Sequence, residues 1–409
     1  MHRMGQTDPV AEMSWRYRGW RIVAALFLVQ IAIFGLGFYG QGLYLSELRR
    51  LNGWPIGVIS TGSTISYVLS SLLAVFVSDL IQWGGPRRLL VAGIGALAAS
   101  LVLFASADTI IQLYAGFTML ALAWVGLGAV SAAMIVGMWF EQKRGLAISI
   151  TFTGASVSGV ALMPGLTALV ESTGFRNALE IVALVMPLVL VPVVASVCFP
   201  PQRYRLVNDT AAGAAPLTRT ALLRDTGFLY LTGAFALVVM VQVGFLVHQI
   251  SILEPMLGRQ SAAAAVAVTT SMALIGRIGL GIVADRINPR GLAALSMGSQ
   301  AIALMAMGSS SNITGLYLAC GLFGFSVGNL ITLPALIIQR EYPPASFSVV
   351  LGLSMAIAGV INACGPMTMG LVRDLTGGYA APMFIGVALQ LASVCAVLFA
   401  PKPIFSRAA

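Results

Sequence analysis

Runs of about twenty apolar residues, repeated along the chain with short polar stretches between them, constrain this sequence more than anything else in it. Leu89–Ala107, Ala178–Phe199 and Ala380–Ala400 are three such runs. A helix of roughly 20 apolar residues crosses the hydrocarbon core of a bilayer, and in lipid only helices and closed barrels satisfy their own backbone groups. Twelve spans are predicted: Ile22–Leu45, Ile56–Ile81, Leu89–Ala107, Ile110–Phe140, Gly145–Val170, Ala178–Phe199, Gly227–Leu253, Ala262–Ala284, Gly291–Gly308, Ile313–Gln339, Phe347–Val372 and Tyr379–Ala400. Of the 409 residues, 58% are hydrophobic and 9% charged. A soluble chain carries about 25% charged residues, and these few could not cover so much apolar surface. The expected fold class is an all-α membrane protein with twelve transmembrane helices in two six-helix bundles. The expected domains are 1–199 and 227–409, joined by a cytoplasmic linker at 200–226.

The net charge of +9 is a matter of topology rather than of nucleic-acid binding, because the cations are scattered through short loops. With the N-terminus in the cytoplasm, 17 of the 23 Lys and Arg fall on the cytoplasmic side and 5 on the other. Cationic loops stay inside, so both termini are expected there. No cleavable leader is expected, since the first apolar segment after Arg16, Arg18 and Arg21 runs past Phe38 with no small-residue cleavage site. Cys198, Cys320, Cys364 and Cys395 lie in apolar segments at spacings that fit neither a metal site nor a disulfide framework, and read as buried free thiols. Among the 44 glycines, Gly321, Gly324 and Gly328 form a stripe of the kind that lets helix backbones approach closely.

The halves repeat. Asp79 at the end of the second span precedes Arg87–Arg88, and Asp285–Arg286 before Arg290 follows the eighth span. Glu171 with Thr173–Gly174–Phe175 ends the fifth span, and Asp374 with Thr376–Gly377–Gly378 ends the eleventh. Parallel repeats of this size hold substrate at their interface near the bilayer midplane.

The stretch GRIGLGIVADRINPR, Gly276–Arg290, carries Gly281-x-x-x-Asp285-Arg286 and resembles the loop motif of the major facilitator superfamily between helices 8 and 9. The matching N-terminal loop keeps Asp79 and Arg87–Arg88 but has Val75 and Leu80 where the motif has Gly and Arg. Trp139–Phe140 with Arg144–Gly145–Leu146–Ala147, Gly154 and Pro164, and Asp374-x-Thr376-Gly377-Gly378-Tyr379, are similar to other stretches of that superfamily. Within it the chain resembles the branch of monocarboxylate transporters and oxalate–formate antiporters, through Gly19–Trp20, His248 late in helix 7, and Arg277 four residues before Gly281. The resemblance implies that Arg277 binds a substrate carboxylate and that Asp79, Arg87, Asp285 and Arg286 act in gating. The antiporter's helix 11 Lys has no counterpart between Phe347 and Val372, which argues against a dicarboxylate held between two cations.

The residues point the same way. An Arg inside a span costs about 2.5–3.5 kcal/mol on insertion scales. All 14 acidic residues fall in loops or near span ends, which leaves an anionic substrate as a partner whose carboxylate fits the planar guanidinium fork. Snorkelling toward the cytoplasm, or bonding to backbone carbonyls, is the other reading of the same residue. Thr270 lies seven residues earlier on the same helical face. His248, the one His outside the N-terminal tail, reads either as a substrate and proton ligand or as an interfacial side chain. Tyr39, Gln41, Asn329 and Asn362 complete the candidate substrate-binding set, with helix–helix hydrogen bonding as the alternative for each.

No catalytic constellation, metal set or phosphate-binding Gly–Lys loop is present in the sequence, so no enzyme activity, cofactor or metal is expected. The expected activity is secondary active transport of a small organic monoanion, with a proton as the coupling ion, in the cytoplasmic membrane. Lipid bilayer is the expected surrounding, nucleic acid is not a partner, and the protein is expected to be monomeric. The alternatives are anion exchange, efflux in another facilitator branch, or a non-transporting membrane sensor, against which the short Lys402–Ala409 tail speaks.

Overall fold

The computed structural model describes residues 14, 17–140, 143–197, 217–283, 287–309, 312–343 and 346–401. Among them every regular element is helical. We number the long elements α1 to α12. α1 is Arg18–Asn52, whose middle, Gly35–Tyr39, is π-helical. α2 is Ile56–Leu73 and α3 is Val77–Ala105, interrupted at Gly85. α4 is Ile110–Gly137. α5 runs through Arg144–Val157, a π-helical turn at Ser158–Leu162 and Met163–Thr173. α6 is Phe175–Val197, α7 Thr226–Leu257, α8 Arg259–Val283, α9 Pro289–Ser309 and α10 Ile313–Glu341. α11 joins Phe347–Ala363 to Gly365–Thr376, and α12 is Ala380–Phe399.

Eleven helices among the described residues are long and apolar enough to cross a membrane. α8 falls short of that standard; it carries Arg259, Gln260 and Arg277 among its 25 residues, a length that still reaches across a bilayer core. The outer faces of the helices are apolar. Leu184, Leu188, Leu295, Ile302 and Leu318 all stand more than 60% exposed, as hydrocarbon rather than water requires. Cys320 is buried, but Cys364 and Cys395 are exposed; the reading of every thiol as buried fails there because a span's outer face needs no burial to stay apolar.

Polar side chains set several helix starts. Thr109 and Gln112 form a capping box on α4, Asp225 accepts from the Gly227 and Phe228 amides of α7, and Asn312 accepts from Thr314 of α10. Glycines with positive φ, Gly174 and Gly258, turn the chain between α5 and α6 and between α7 and α8, a conformation that costs a side chain-free residue little.

The chain divides into two compact units. The first is Met1–Leu48 with Leu69–Asn208, and the second is Arg49–Val68 with Asp209–Ala409. The stretch 49–68, read from sequence as part of the first bundle, thus groups with the second. Inside the first unit α1 packs on α5 and α6, and α3 on α4 and α6; inside the second α7 packs on α11 and α12, and α9 on α10 and α12. Each unit brings its first and fifth helices together at a glycine. A Cβ on Gly154 would strike the Phe27 carbonyl, and one on Gly365 the Met240 carbonyl, so both pairs depend on a bare backbone.

Candidate functional site

Arg277 stands on α8 roughly 27 Å along the axis from Arg259 and 9 Å from Val283, at 1.5 Å per residue, and is half-buried. Its backbone lies against α10. A Cβ at Gly328 would come 3.0 Å from the Arg277 Cβ and 3.2 Å from its amide nitrogen. Thr270, two turns earlier, is buried and donates back to the Val266 and Ala267 carbonyls, 2.9 and 3.1 Å away. Asn329 is buried beside Gly328; its amide Nδ2 reaches toward Ser296 Oγ of α9 at 3.5 Å, and its Oδ1 accepts no hydrogen bond from the described residues. Asn362, at the break in α11, is half-buried, and its buried Oδ1 likewise has no donor among the described residues. Such amide oxygens are acceptor capacity that a protonated or hydroxylated ligand can use.

His248 is fully buried, and both ring nitrogens are engaged. The Pro366 carbonyl lies 3.0 Å from Nε2 and can only accept, so Nε2 carries the proton; the Tyr379 hydroxyl, 2.9 Å from Nδ1, then donates. The ring thus ties α7 to α11 and to the start of α12.

In the first unit Tyr39 closes the π-helical turn of α1 and is buried, its ring edge-on to Phe38 at 5.2 Å. Gln41 is buried and its Nε2 donates to the Gly37 carbonyl inside the same turn. That turn packs on the π-helical turn of α5, where Gly35 meets Ser158 and Leu162. π-turns of this kind cluster at functional sites. Asp79 and Arg87 are exposed on α3, on either side of the break at Gly85. Asp285 and Arg286 lie outside the described residues.

The sequence reading passed over other buried polar groups. Gln249 Nε2 donates to Thr269 Oγ1 at 2.7 Å and approaches Cys320 Sγ at 3.6 Å, a node of α7, α8 and α10. Gln242, Gln300 and Gln390 are buried and linked across α7, α9 and α12. A lone Gln in an apolar run was the available signal.

The Major Facilitator Superfamily model matches residues 22–366. Among curated proteins the chain is 27% identical over 385 residues to Monocarboxylate transporter 13 of Rattus norvegicus, covering 91% of this chain and 87% of that one. It is 25% identical over 341 residues to the Fujikurins efflux protein of Gibberella fujikuroi, covering 80% and 68%. It is 25% identical over 220 residues to the Oxalate:formate antiporter of Oxalobacter formigenes, covering 53% and 51%. Among solved structures, a bacterial homologue of the human lysosomal transporter Spinster superimposes with a TM-score of 0.73 at 15% identity over 97% of both chains, a likeness of fold. The chain therefore belongs to the major facilitator superfamily: it is a multi-pass secondary transporter of a small-molecule substrate, and not an enzyme.

Proposed function

We propose that this transporter carries a small organic monoanion, of the monocarboxylate class, across the cytoplasmic membrane by alternating access together with a proton. The observation that carries the reading is Arg277, a permanent cation within a membrane helix. A carboxylate neutralises it bidentately. The names of the mammalian and Oxalobacter relatives support an organic anion. Symport with one proton removes the cost of bringing an anion in against a negative-inside potential, about 2.3 kcal/mol per charge per 100 mV. Thr270, Asn329 and Asn362 would complete the substrate's polar contacts in the second unit, and Tyr39 and Gln41 in the first. Asp79, Arg87, Asp285 and Arg286 would act at the cytoplasmic gate. Both termini face the cytoplasm by the distribution of loop cations, and the working unit is a monomer.

In proteoliposomes, pyruvate uptake should rise with an inward proton gradient and acidify a pH dye inside. Arg277→Ala should abolish uptake while leaving folded protein in the membrane, and Arg277→Lys should bind weakly, keeping charge but losing the fork. Wild-type uptake by Arg277→Ala would sink the anion reading. His248 enters the same assay as the proton carrier under test: an unchanged pH profile in His248→Gln would remove it from coupling. One observation favours a second reading, the comparable likeness to a fungal efflux protein; flux of an amphiphilic dye panel, with no pyruvate movement, would select it.

A further inference from the structure

The second unit joins α8 to α10 through three glycines. A Cβ on Gly276 would run into the Phe325 carbonyl, one on Gly324 into the Thr269 carbonyl, and one on Gly328 into the Ala273 carbonyl. Each obstacle is backbone, so no rotamer change relieves it and the helices must separate. Gly321, in the same stripe, is different: its Cβ would meet only the side chains of Met272 and Val268 at 3.7 and 3.8 Å, ordinary contact distances. Gly328 has a further neighbour that the other glycines lack, the Cβ and amide nitrogen of Arg277 at 3.0 and 3.2 Å.

We infer that Gly328 is a positioning residue for Arg277: by presenting bare backbone, α10 seats the root of the arginine side chain and fixes where its guanidinium stands. This rests on the reading of Arg277 as the anion-binding residue and names what sets that residue's geometry. The backbone of α8 between Ala273 and Arg277 lies in direct contact with residue 328, so a methyl group there moves α8 at the arginine itself. The same methyl group at Gly324 moves α8 at Thr269, eight residues or about 12 Å away along the helix. Bidentate capture of a carboxylate needs the fork in one place and orientation, and displacements of about 1 Å are enough to cost up to a hundredfold at a well-fitted site.

The experiment compares wild type, Gly328→Ala, Gly324→Ala and Arg277→Ala as full-length protein in proteoliposomes. Phenylglyoxal modification of Arg277, followed by peptide mass spectrometry and normalised to Arg259 on the same helix, reads the placement of the guanidinium without any substrate. Pyruvate is the transport probe. Gly328→Ala should change the Arg277 modification rate and raise the pyruvate concentration for half-maximal uptake about tenfold, as expected from weakening one charged hydrogen bond. Gly324→Ala should leave both at wild-type values while lowering thermal stability. Equal Arg277 rates in the two glycine variants would overturn the proposal, as would equal loss of both proteins from the membrane, since Gly328 would then be packing alone. Arg277→Ala reports on the anion reading separately: wild-type pyruvate uptake there would sink that reading, and the modification rates would still decide the seating.

Discussion

The imidazole of His248 stands edge-on to the phenol ring of Tyr379, centroids 5.6 Å apart at 63°. Tyr44 and Phe175 meet the same way in the first unit, 6.1 Å apart at 62°. Both pairs join the first helix of a six-helix set to the start of its sixth, and equivalent members are separated by one constant interval in the sequence. The internal repeat is thus preserved as ring packing even where residue identity has changed. The chemistry differs: Tyr44 sends its hydroxyl to the Leu36 carbonyl at 2.9 Å beside the π-turn, whereas His248 spends both nitrogens across helices. Tyr379→Phe keeps the edge-on ring and deletes the hydroxyl, which donates to Nδ1 and also bonds the Ser251 side chain. It should cost about 1–2 kcal/mol, read as a lowered melting temperature in detergent. Adding His248→Phe to it also abandons the Pro366 carbonyl and should melt lower still; equal melting of the two would show that the Pro366 bond contributes nothing.

Asp374 supplies the second prediction. Its Oδ2 accepts from the Gly57 amide in the first turn of α2, and its Oδ1 accepts from Arg373 at 2.9 Å. An acceptor from one helix here caps the N-terminus of another, satisfying a donor that the helix cannot. Asp374→Ala should cost about 1–2 kcal/mol, as N-cap deletions do, and Asp374→Asn should cost less because its amide oxygen still accepts. Scanning fluorimetry of the purified variants ranks them; an Asn variant as weak as Ala would assign the effect to the Arg373 ion pair instead.

Arg290, the last residue of the loop stretch resembling the family motif, grips Glu341 through Nε at 2.6 Å and through a second nitrogen at 2.8 Å, and donates to the Ala400 carbonyl at 2.9 Å. One side chain therefore holds the start of α9, the end of α10 and the end of α12. Arg290→Lys keeps the charge but cannot span both carboxylate oxygens and a carbonyl. We expect it to lose about 2 kcal/mol, the usual worth of a charged hydrogen bond, read as a lowered melting temperature in detergent. Unchanged melting would place the clasp among surface pairs of no consequence.

The spans were legible in the sequence because bilayer thickness and backbone satisfaction leave one solution for a twenty-residue apolar run. Helix ends were read less well: Asp79 was expected at the end of the second span and Arg87 in the connection to the third, but helical turns of α3 carry both, with only the break at Gly85 between them. Arg277 was legible because a charge in an apolar run is conspicuous. The partners of His248 were not, since Pro366 and Tyr379 lie more than a hundred residues away and only packing unites them. The Asp374-x-Thr376-Gly377-Gly378-Tyr379 stretch was visible as a pattern without a reason. Its parts now have separate ones: Asp374 caps α2, Gly377 takes the left-handed turn at φ 77° that ends α11, and Tyr379 holds His248. The π-turns at Gly35–Tyr39 and Ser158–Leu162 escaped because one extra residue in a turn leaves no mark on hydrophobic periodicity.

The last prediction concerns the chain of amides in the second unit. Gln390 Nε2 of α12 donates to Gln300 Oε1 of α9 at 2.7 Å, and Gln300 Nε2 donates to Gln242 Oε1 of α7 at 2.9 Å. Gln300 is at once acceptor and donor, so both bonds pass through it. Interhelical hydrogen bonds inside membranes are each worth about 0.6–2 kcal/mol. Breaking them by removing one partner costs more, because each orphaned buried group adds about 1–3 kcal/mol of desolvation. Gln300→Leu should therefore lower the melting temperature sharply, leaving the Gln242 oxygen and the Gln390 amide buried without each other or a substitute. Gln300→Glu should be worse on the α7 side, since a carboxylate still accepts from Gln390 but sets oxygen against oxygen at Gln242. The decisive variant replaces all three residues with Leu. It removes every polar atom that the single variant orphans, and the protein should regain most of the stability lost by Gln300→Leu. A triple variant that melts as low as the single one would mean that the amides matter for their shape in the α7, α9 and α12 packing, and not for their hydrogen bonds.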